Sequence, residues 1–213
     1  MTTIATETHT AQAQGPAVLR PREVRALLRA PDRRARRGRR DSALLAALVG
    51  SGARVGELVR LTRDQVEHGP GGRVRLMLRT SKGRNGTPPR FRTVTLPAPM
   101  ARLLREYVAR EEPRWWLFEG RRNEALSVRQ AQKIVMRWLR EIGRGDLRVH
   151  SLRHSFGAMV TRETRSIFVA QKLLGHADPR TTARYYAAFE VSDADAAADA
   201  VAEALSRRGR RAA

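Results

Sequence analysis

Residues 73–96 read R-V-R-L-M-L-R-T-S-K-G-R-N-G-T-P-P-R-F-R-T-V-T-L. From Arg73 to Arg79 the apolar residues Val74, Leu76 and Leu78 fall at every second position, the period of a strand with one buried face. Arg92 to Leu96 reads as a second strand, and the Gly- and Pro-rich stretch from Ser81 to Pro89 as the hairpin loop between the two. The flanking sequence has helical spacing instead. The expected fold is mainly α with a small antiparallel β-sheet.

Before the hairpin, residues 1–16 are polar and rich in Thr, Ala and Gln, and residues 1–18 are expected to form a disordered N-terminal arm. Pro21 stands at a first helical position, and Val24, Leu27 and Leu28 give the stripe of an amphipathic helix. A basic turn from Arg33 to Arg40 follows. Leu44, Leu45 and Leu48 mark a second helix that stops near Gly50 and Gly52, and Glu57 to Leu61 marks a further helical segment. After the hairpin, helices are expected over 98–110, 127–142, 151–163, 166–174 and 180–188. Residues 19–190 form one expected domain, and 191–213 a C-terminal helix with a basic tail from Arg207 to Arg211.

A chain of 213 residues can bury a core of its own. Lys plus Arg number 42 against 21 Asp plus Glu, a formal net charge of +21. Such a chain repels itself unless a polyanion neutralises it, and nucleic acid is the usual one. GC-rich coding would exchange Lys for Arg without explaining the shortage of acids. The absence of Cys excludes disulfides and thiolate metal sites and fits a reducing cytoplasm. No apolar run approaches the roughly 20 residues that span a bilayer, and residues 1–16 lack a basic-then-apolar signal pattern. A cytoplasmic protein with no membrane contact is expected.

Four separated segments carry polar residues that a helical bundle does not need. In S-G-A-R-V-G-E-L (51–58), Arg54 and Glu57 are three apart, so one helix face lets the carboxylate hold the guanidinium; alone, the pair reads more readily as an exposed structural ion pair. In R-T-S-K-G-R (79–84), Lys82 is one of only three lysines in an arginine-rich chain. Lys can be tuned to donate its proton and Arg cannot, so Lys82 is a candidate general acid as well as a plain solvated loop charge. In V-H-S-L-R-H-S-F-G (149–157), His150 and Arg153 sit one turn apart at a helix start, offering a proton carrier and a bidentate phosphate ligand. His154 reads as a partly buried helix residue. In K-L-L-G-H-A-D-P-R-T-T-A-R-Y-Y (172–186), Gly175 ends a helix and leaves His176 on the turn, with Tyr185 nine residues further on and Tyr186 beside it. Tandem tyrosines on their own are more often packing or stacking residues than nucleophiles.

Taken in order, Arg–Lys–His-x-x-Arg–His–Tyr resembles the active-site signature of the tyrosine recombinases, the phage-integrase family. The family's boxes commonly read T-G-L-R-x-x-E-L, H-x-L-R-H-x-F and L-L-G-H with Tyr nine residues on; here they stand as S-G-A-R-V-G-E-L, H-S-L-R-H-S-F and L-L-G-H…Y. The 23-residue spacing from Arg153 to His176 is also similar, and the resemblance runs from about Leu19 to Phe189. It implies a tyrosine recombinase catalytic domain-like fold over residues 19–190. It also implies a site-specific DNA recombinase or integrase that breaks and rejoins strands through a 3′-phosphotyrosyl intermediate, with no cofactor, metal or ATP.

By the same resemblance, Arg54, Lys82, His150, Arg153, His176 and Tyr185 are the catalytic residues and Glu57 supports Arg54. The residue chemistry agrees. Charge accumulates on the non-bridging phosphate oxygens as a nucleophile adds, and two guanidiniums aimed there favour the transition state over the ground state. A phenol of pKa near ~10 needs a base or relay, here His150. His176 would donate to the phosphate and Lys82 would protonate the leaving 5′ oxygen. No Asp/Glu cluster suited to Mg²⁺ stands in the sequence.

The expected partner is double-stranded DNA. Val191, Ala194, Ala198, Val201 and Leu205 form an apolar stripe, which the resemblance assigns to self-association on DNA through the C-terminal helix. Members usually carry an N-terminal helical domain that clamps the opposite DNA face. Only residues 1–18 precede the matching region here, so an accessory DNA-binding protein is a further expected partner. Two departures stand out. Thr164 lies near a position where the family often has Gly, so that turn is expected to be built differently, and the Lys82 hairpin is longer than usual, with Pro88 and Pro89. Two alternatives compete: type IB topoisomerase-like strand relaxation, and a DNA-binding relative with a vestigial site.

Overall fold

The computed structural model describes residues 17–79, 91–120 and 124–175. In chain order these form α1 (Pro21–Arg29), α2 (Arg36–Ser51), α3 (Val55–Leu58), β1 (Val66–His68), β2 (Val74–Arg79), β3 (Phe91–Thr95), α4 (Ala98–Glu111), α5 (Val128–Glu141), α6 (Val149–Thr164) and α7 (Ile167–Leu174). The architecture is mainly helical with one small antiparallel sheet of order β1-β2-β3, as the hairpin pattern predicts.

The core is organised around α2. Every residue from Ala43 to Val49 is at most 2 % exposed, and the helix packs against α1, α4, α5 and α6. A helix apolar on all sides is buried on all sides. The Leu44, Leu45 and Leu48 stripe is completed by Ala43, Ala46 and Ala47, whose small side chains let neighbouring helices approach. Leu19, where periodicity begins in the sequence, is already in the core, and its backbone N–H donates to Ser155 Oγ of α6 at 2.8 Å. Asp41 is buried on α2 but satisfied: Trp138 Nε1 of α5 donates to its Oδ2 at 3.1 Å, and Arg40 donates to its Oδ1.

β2 follows the predicted alternation, with Val74, Leu76 and Leu78 fully buried. β3 pairs with it so that Val94 lies opposite Leu76 and Arg92 opposite Leu78. The third strand, β1, was not expected; of its three residues only Val66 is buried, so it has no alternation to detect. The predicted helix over Glu57–Leu61 is a single turn, α3, shifted toward the N-terminus. It stops because the Leu61 carbonyl is taken by the backbone N–H of Leu117 at 2.8 Å, and Thr62 forms a bridge with Trp116.

The turn after α6 is built without glycine, as expected near Thr164. Arg165 itself adopts the left-handed conformation, with φ 53°. No helix among the described residues is long and apolar enough to cross a membrane. The expected N-terminal arm through residue 16, the 81–89 loop, the 180–188 helix and the 191–213 tail lie outside the described residues.

Candidate active site

Gly52 ends α2 in the left-handed conformation, φ 60°. A Cβ there would lie 2.7 Å from Leu174 Cδ2 and would also overlap the Phe156 ring, so glycine is required both for the turn and for the close approach of α6 and α7. Two residues on, Arg54 is the N-cap of α3 and Glu57 its third residue. Glu57 Oε2 accepts the Arg54 backbone N–H at 2.9 Å and Oε1 accepts Arg54 Nη1 at 3.2 Å. The carboxylate thus starts the helix and holds the guanidinium with one side chain. Glu57's side chain is 3 % exposed and Arg54's 43 %, so the pair is not the surface ion pair the spacing alone allows. Its carboxylate is buried and its guanidinium remains accessible.

Glu57 has a second partner that the sequence reading did not name. Arg92 of β3 donates Nη1 to Oε1 at 3.2 Å and Nη2 to Oε2 at 2.9 Å. Burial pushes the Glu57 carboxyl up, but the Arg92 hydrogen bond and charge, together with the Arg54 backbone N–H and charge, more than offset it and the net shift is down. The signal was present in the alternation: Val94 and Leu96 face inward, so Arg92 does too, and an inward arginine requires a buried acceptor.

His150 and Arg153 occupy the first two turns of α6. Arg153 is 2 % exposed, and its guanidinium donates Nη1 to the Gly52 carbonyl at 2.6 Å and Nη2 to the Leu174 carbonyl at 2.7 Å. It therefore ties α6 both to the turn that presents Arg54 and to the end of α7. His150 stacks edge-on against His154, with ring centroids 4.5 Å apart. Burial lowers the His150 pKa, and the charges of Arg153 and then Arg54 lower it further. The Arg153–Gly52 bond sets Arg153 against the turn that presents Arg54, and His150 stands one helical turn before Arg153 on α6, so the three form one basic region. His154, half-buried on α6, is pushed down to about 4 by burial, His150 and Arg153.

α7 ends at Leu174 and Gly175 reverses the chain with φ 65°. Arg92 Nε donates to the Leu173 carbonyl at 3.1 Å, beside the Arg153–Leu174 bond. Cations at a helix C-terminus satisfy its last carbonyls and complement its dipole. Residue 176 follows directly. Lys82, His176 and Tyr185 lie outside the described residues. No group of three or more His, Cys, Asp or Glu side chains able to hold a metal occurs among the described residues, and both Glu57 oxygens are occupied by arginine. A basic cavity of about 530 Å³ beside Arg36, Arg40 and Lys133 lies at the opposite end of α2 from this site.

Comparison with known proteins identifies the family and the fold. The family model described as the phage integrase family matches residues 17–191. The chain is 31% identical over 179 residues to tyrosine recombinase XerD of Neisseria meningitidis serogroup B, covering 80% of this chain and 58% of that protein. It is 32% identical over 151 residues to tyrosine recombinase XerA of Thermococcus kodakarensis, covering 69% of this chain and 50% of that protein. The chain thus spans about half the length of these relatives. Among solved structures, XerH recombinase in a post-cleavage complex with its palindromic difH substrate matches with a TM-score of 0.71 at 24% identity, over 89% of this chain and 54% of that one. That likeness concerns the fold. With the matching family model, the identity to the Xer relatives and the ordered boxes at Arg54, His150 and Arg153, the chain belongs to the phage integrase family.

Proposed function

We propose that this protein is a cytoplasmic site-specific DNA recombinase that breaks and rejoins strands through a 3′-phosphotyrosyl link at Tyr185, without metal or ATP. The observation that carries the reading is the grouping of Arg54, His150 and Arg153 at the point where α7 ends and the 176–185 segment begins. Double-stranded DNA supplies the phosphate. Arg54 and Arg153 stabilise charge on its non-bridging oxygens as the tyrosine oxygen adds. Neutral His150 accepts or relays the phenolic proton, and the low pKa direction keeps it available for this at neutral pH. His176 donates to the phosphate, and Lys82 protonates the 5′ oxygen as its bond to phosphorus breaks. The new ester retains the bond energy, so the 5′ hydroxyl of a different strand can reverse the step. Other copies on the same DNA, engaged through residues 191–213, and an accessory DNA-binding protein complete the proposed assembly.

The test is covalent capture from a random pool of nicked duplexes, run in chelator and followed by sequencing of the trapped DNA. Wild-type protein is expected to form adducts on a defined sequence, and Tyr185→Phe to bind without forming any. Strict Mg²⁺ dependence contradicts the metal-free reading. Supercoil relaxation with no exchange between two captured sites favours the topoisomerase alternative.

A further inference from the structure

We infer that Arg92 is a positioning residue for strand cleavage, joining the carboxylate that orients Arg54 to the end of the helix that leads into His176. The inference rests on the proposed recombinase reading and assigns to it a residue outside the Arg–Lys–His–Arg–His–Tyr set.

Arg92 makes three directed contacts, and they go to two different elements. The bidentate pair on Glu57 uses both terminal nitrogens, at 3.2 and 2.9 Å, and Nε reaches the Leu173 carbonyl at 3.1 Å. Its side chain is 11 % exposed and Glu57's is 3 %, so the contacts form largely away from water, where geometry is enforced by the cost of an unmet donor. Each Glu57 oxygen is shared: Oε1 between Arg54 Nη1 and Arg92 Nη1, Oε2 between the Arg54 backbone N–H and Arg92 Nη2. A rotation of the carboxylate that breaks one arginine contact therefore disturbs the other. At the other end, Arg92 Cδ lies 3.2 Å from where a Gly175 Cβ would stand, so the aliphatic stem lies against the turn that precedes His176.

The consequence is a single chain of contacts, Arg54–Glu57–Arg92–Leu173. A phosphate drawn to the 43 %-exposed Arg54 guanidinium meets a cation whose direction is set by the same carboxylate that holds Arg92, whose Nε in turn anchors the α7 terminus. Lysine cannot substitute. It keeps the charge but presents its donors from one nitrogen, not from a planar fork that spans two oxygens and a carbonyl. A salt bridge that served stability alone would tolerate any replacement that leaves the protein folded.

The experiment uses the full chain and duplexes recovered by covalent capture, with single-turnover adduct formation at saturating protein measured apart from Kd. Arg92→Lys and Arg92→Gln are expected to slow adduct formation by about 10- to 10²-fold, the scale of a small misplacement of catalytic groups. Kd should change little; the thermal midpoint should fall, because Glu57 and the Leu173 carbonyl lose a buried donor, so rates are compared at a temperature where each variant is folded. In a Glu57→Gln background, Arg92→Gln should add almost nothing further, because the two residues act along one path. The inference is overturned if Arg92→Lys reacts at the wild-type rate, if the loss lies in Kd, if it simply follows the fraction folded, or if the Glu57 and Arg92 losses multiply. Absence of any wild-type adduct would instead remove the recombinase reading, and this inference with it.

Discussion

Arg153 Nη2 and the Leu174 carbonyl are 2.7 Å apart, joining α6 to the last helical residue of α7. The other terminal nitrogen of the same guanidinium holds the Gly52 carbonyl at 2.6 Å, on the turn that leads to Arg54. A single buried arginine thus sets the relative positions of three segments that carry proposed catalytic residues. In the proposed reaction it would meet two demands at once, structural support and charge beside the reacting phosphate.

Arg153→Lys should reveal both demands. Two charge-assisted bonds to backbone carbonyls are lost, and buried acceptors are left unmet, a cost of about 2–4 kcal/mol read by urea unfolding. Adduct formation at a temperature where the variant is folded should drop by about 10²–10³. A variant that is destabilised yet cleaves normally would confine Arg153 to architecture.

Gly52→Ala tests the turn. Its φ of 60° and the overlap of a Cβ with Phe156 and Leu174 predict a loss of about 2–4 kcal/mol. Because relief requires α6 or α7 to move, slower adduct formation should accompany the lower urea midpoint. Unchanged stability would show that the close approach at Gly52 is not required.

Trp138→Phe separates the scaffold from the chemistry. It removes the indole donor to the buried Asp41 Oδ2, which should cost about 1–3 kcal/mol in unfolding. The adduct rate of the folded fraction should remain that of the parent. A rate loss at full folding would mean that this end of α2 communicates with the site.

Mild acid should destabilise the fold through its buried histidines. His154 is held down to about 4, against an ordinary value of 6.5. Between those values the unfolded chain binds a proton that the folded chain does not, so stability is full above 6.5 and falls as pH is lowered toward about 4. His150, also lowered, acts in the same direction. Glu57 adds its own loss only below its ordinary 4.5, because its folded carboxyl titrates lower still. Thermal midpoints across this range should show the decline, with a shallower slope in His154→Gln. Parallel slopes for the two proteins would contradict it.

The elements with strong periodicity were legible in the sequence: α4, α5, α6 and α7 lie within two residues of the helices expected at 98–110, 127–142, 151–163 and 166–174. So were Arg54, Glu57, His150 and Arg153, through their ordered motifs. What was hidden depends on pairing across the chain. β1 has one buried residue and is defined only by β2 beside it. Arg92 shares its inward face with Val94 and Leu96, so its direction could be read from the alternation; its partner Glu57 could not, because that pairing joins β3 to α3. The arginine that locks the Glu57 carboxylate, and so turns an ordinary helix pair into a support for Arg54, likewise comes from β3.

The most direct measurement is peptide mass spectrometry of the protein trapped on a nicked duplex, locating the residue that carries the 3′ phosphate. The nucleotide is expected on Tyr185, with adduct lost in Tyr185→Phe, kept in Tyr186→Phe, and strongly slowed when Arg54 or Arg153 is replaced. Attachment at Tyr186 or at a non-tyrosine residue, or an adduct that forms without either arginine, would contradict it.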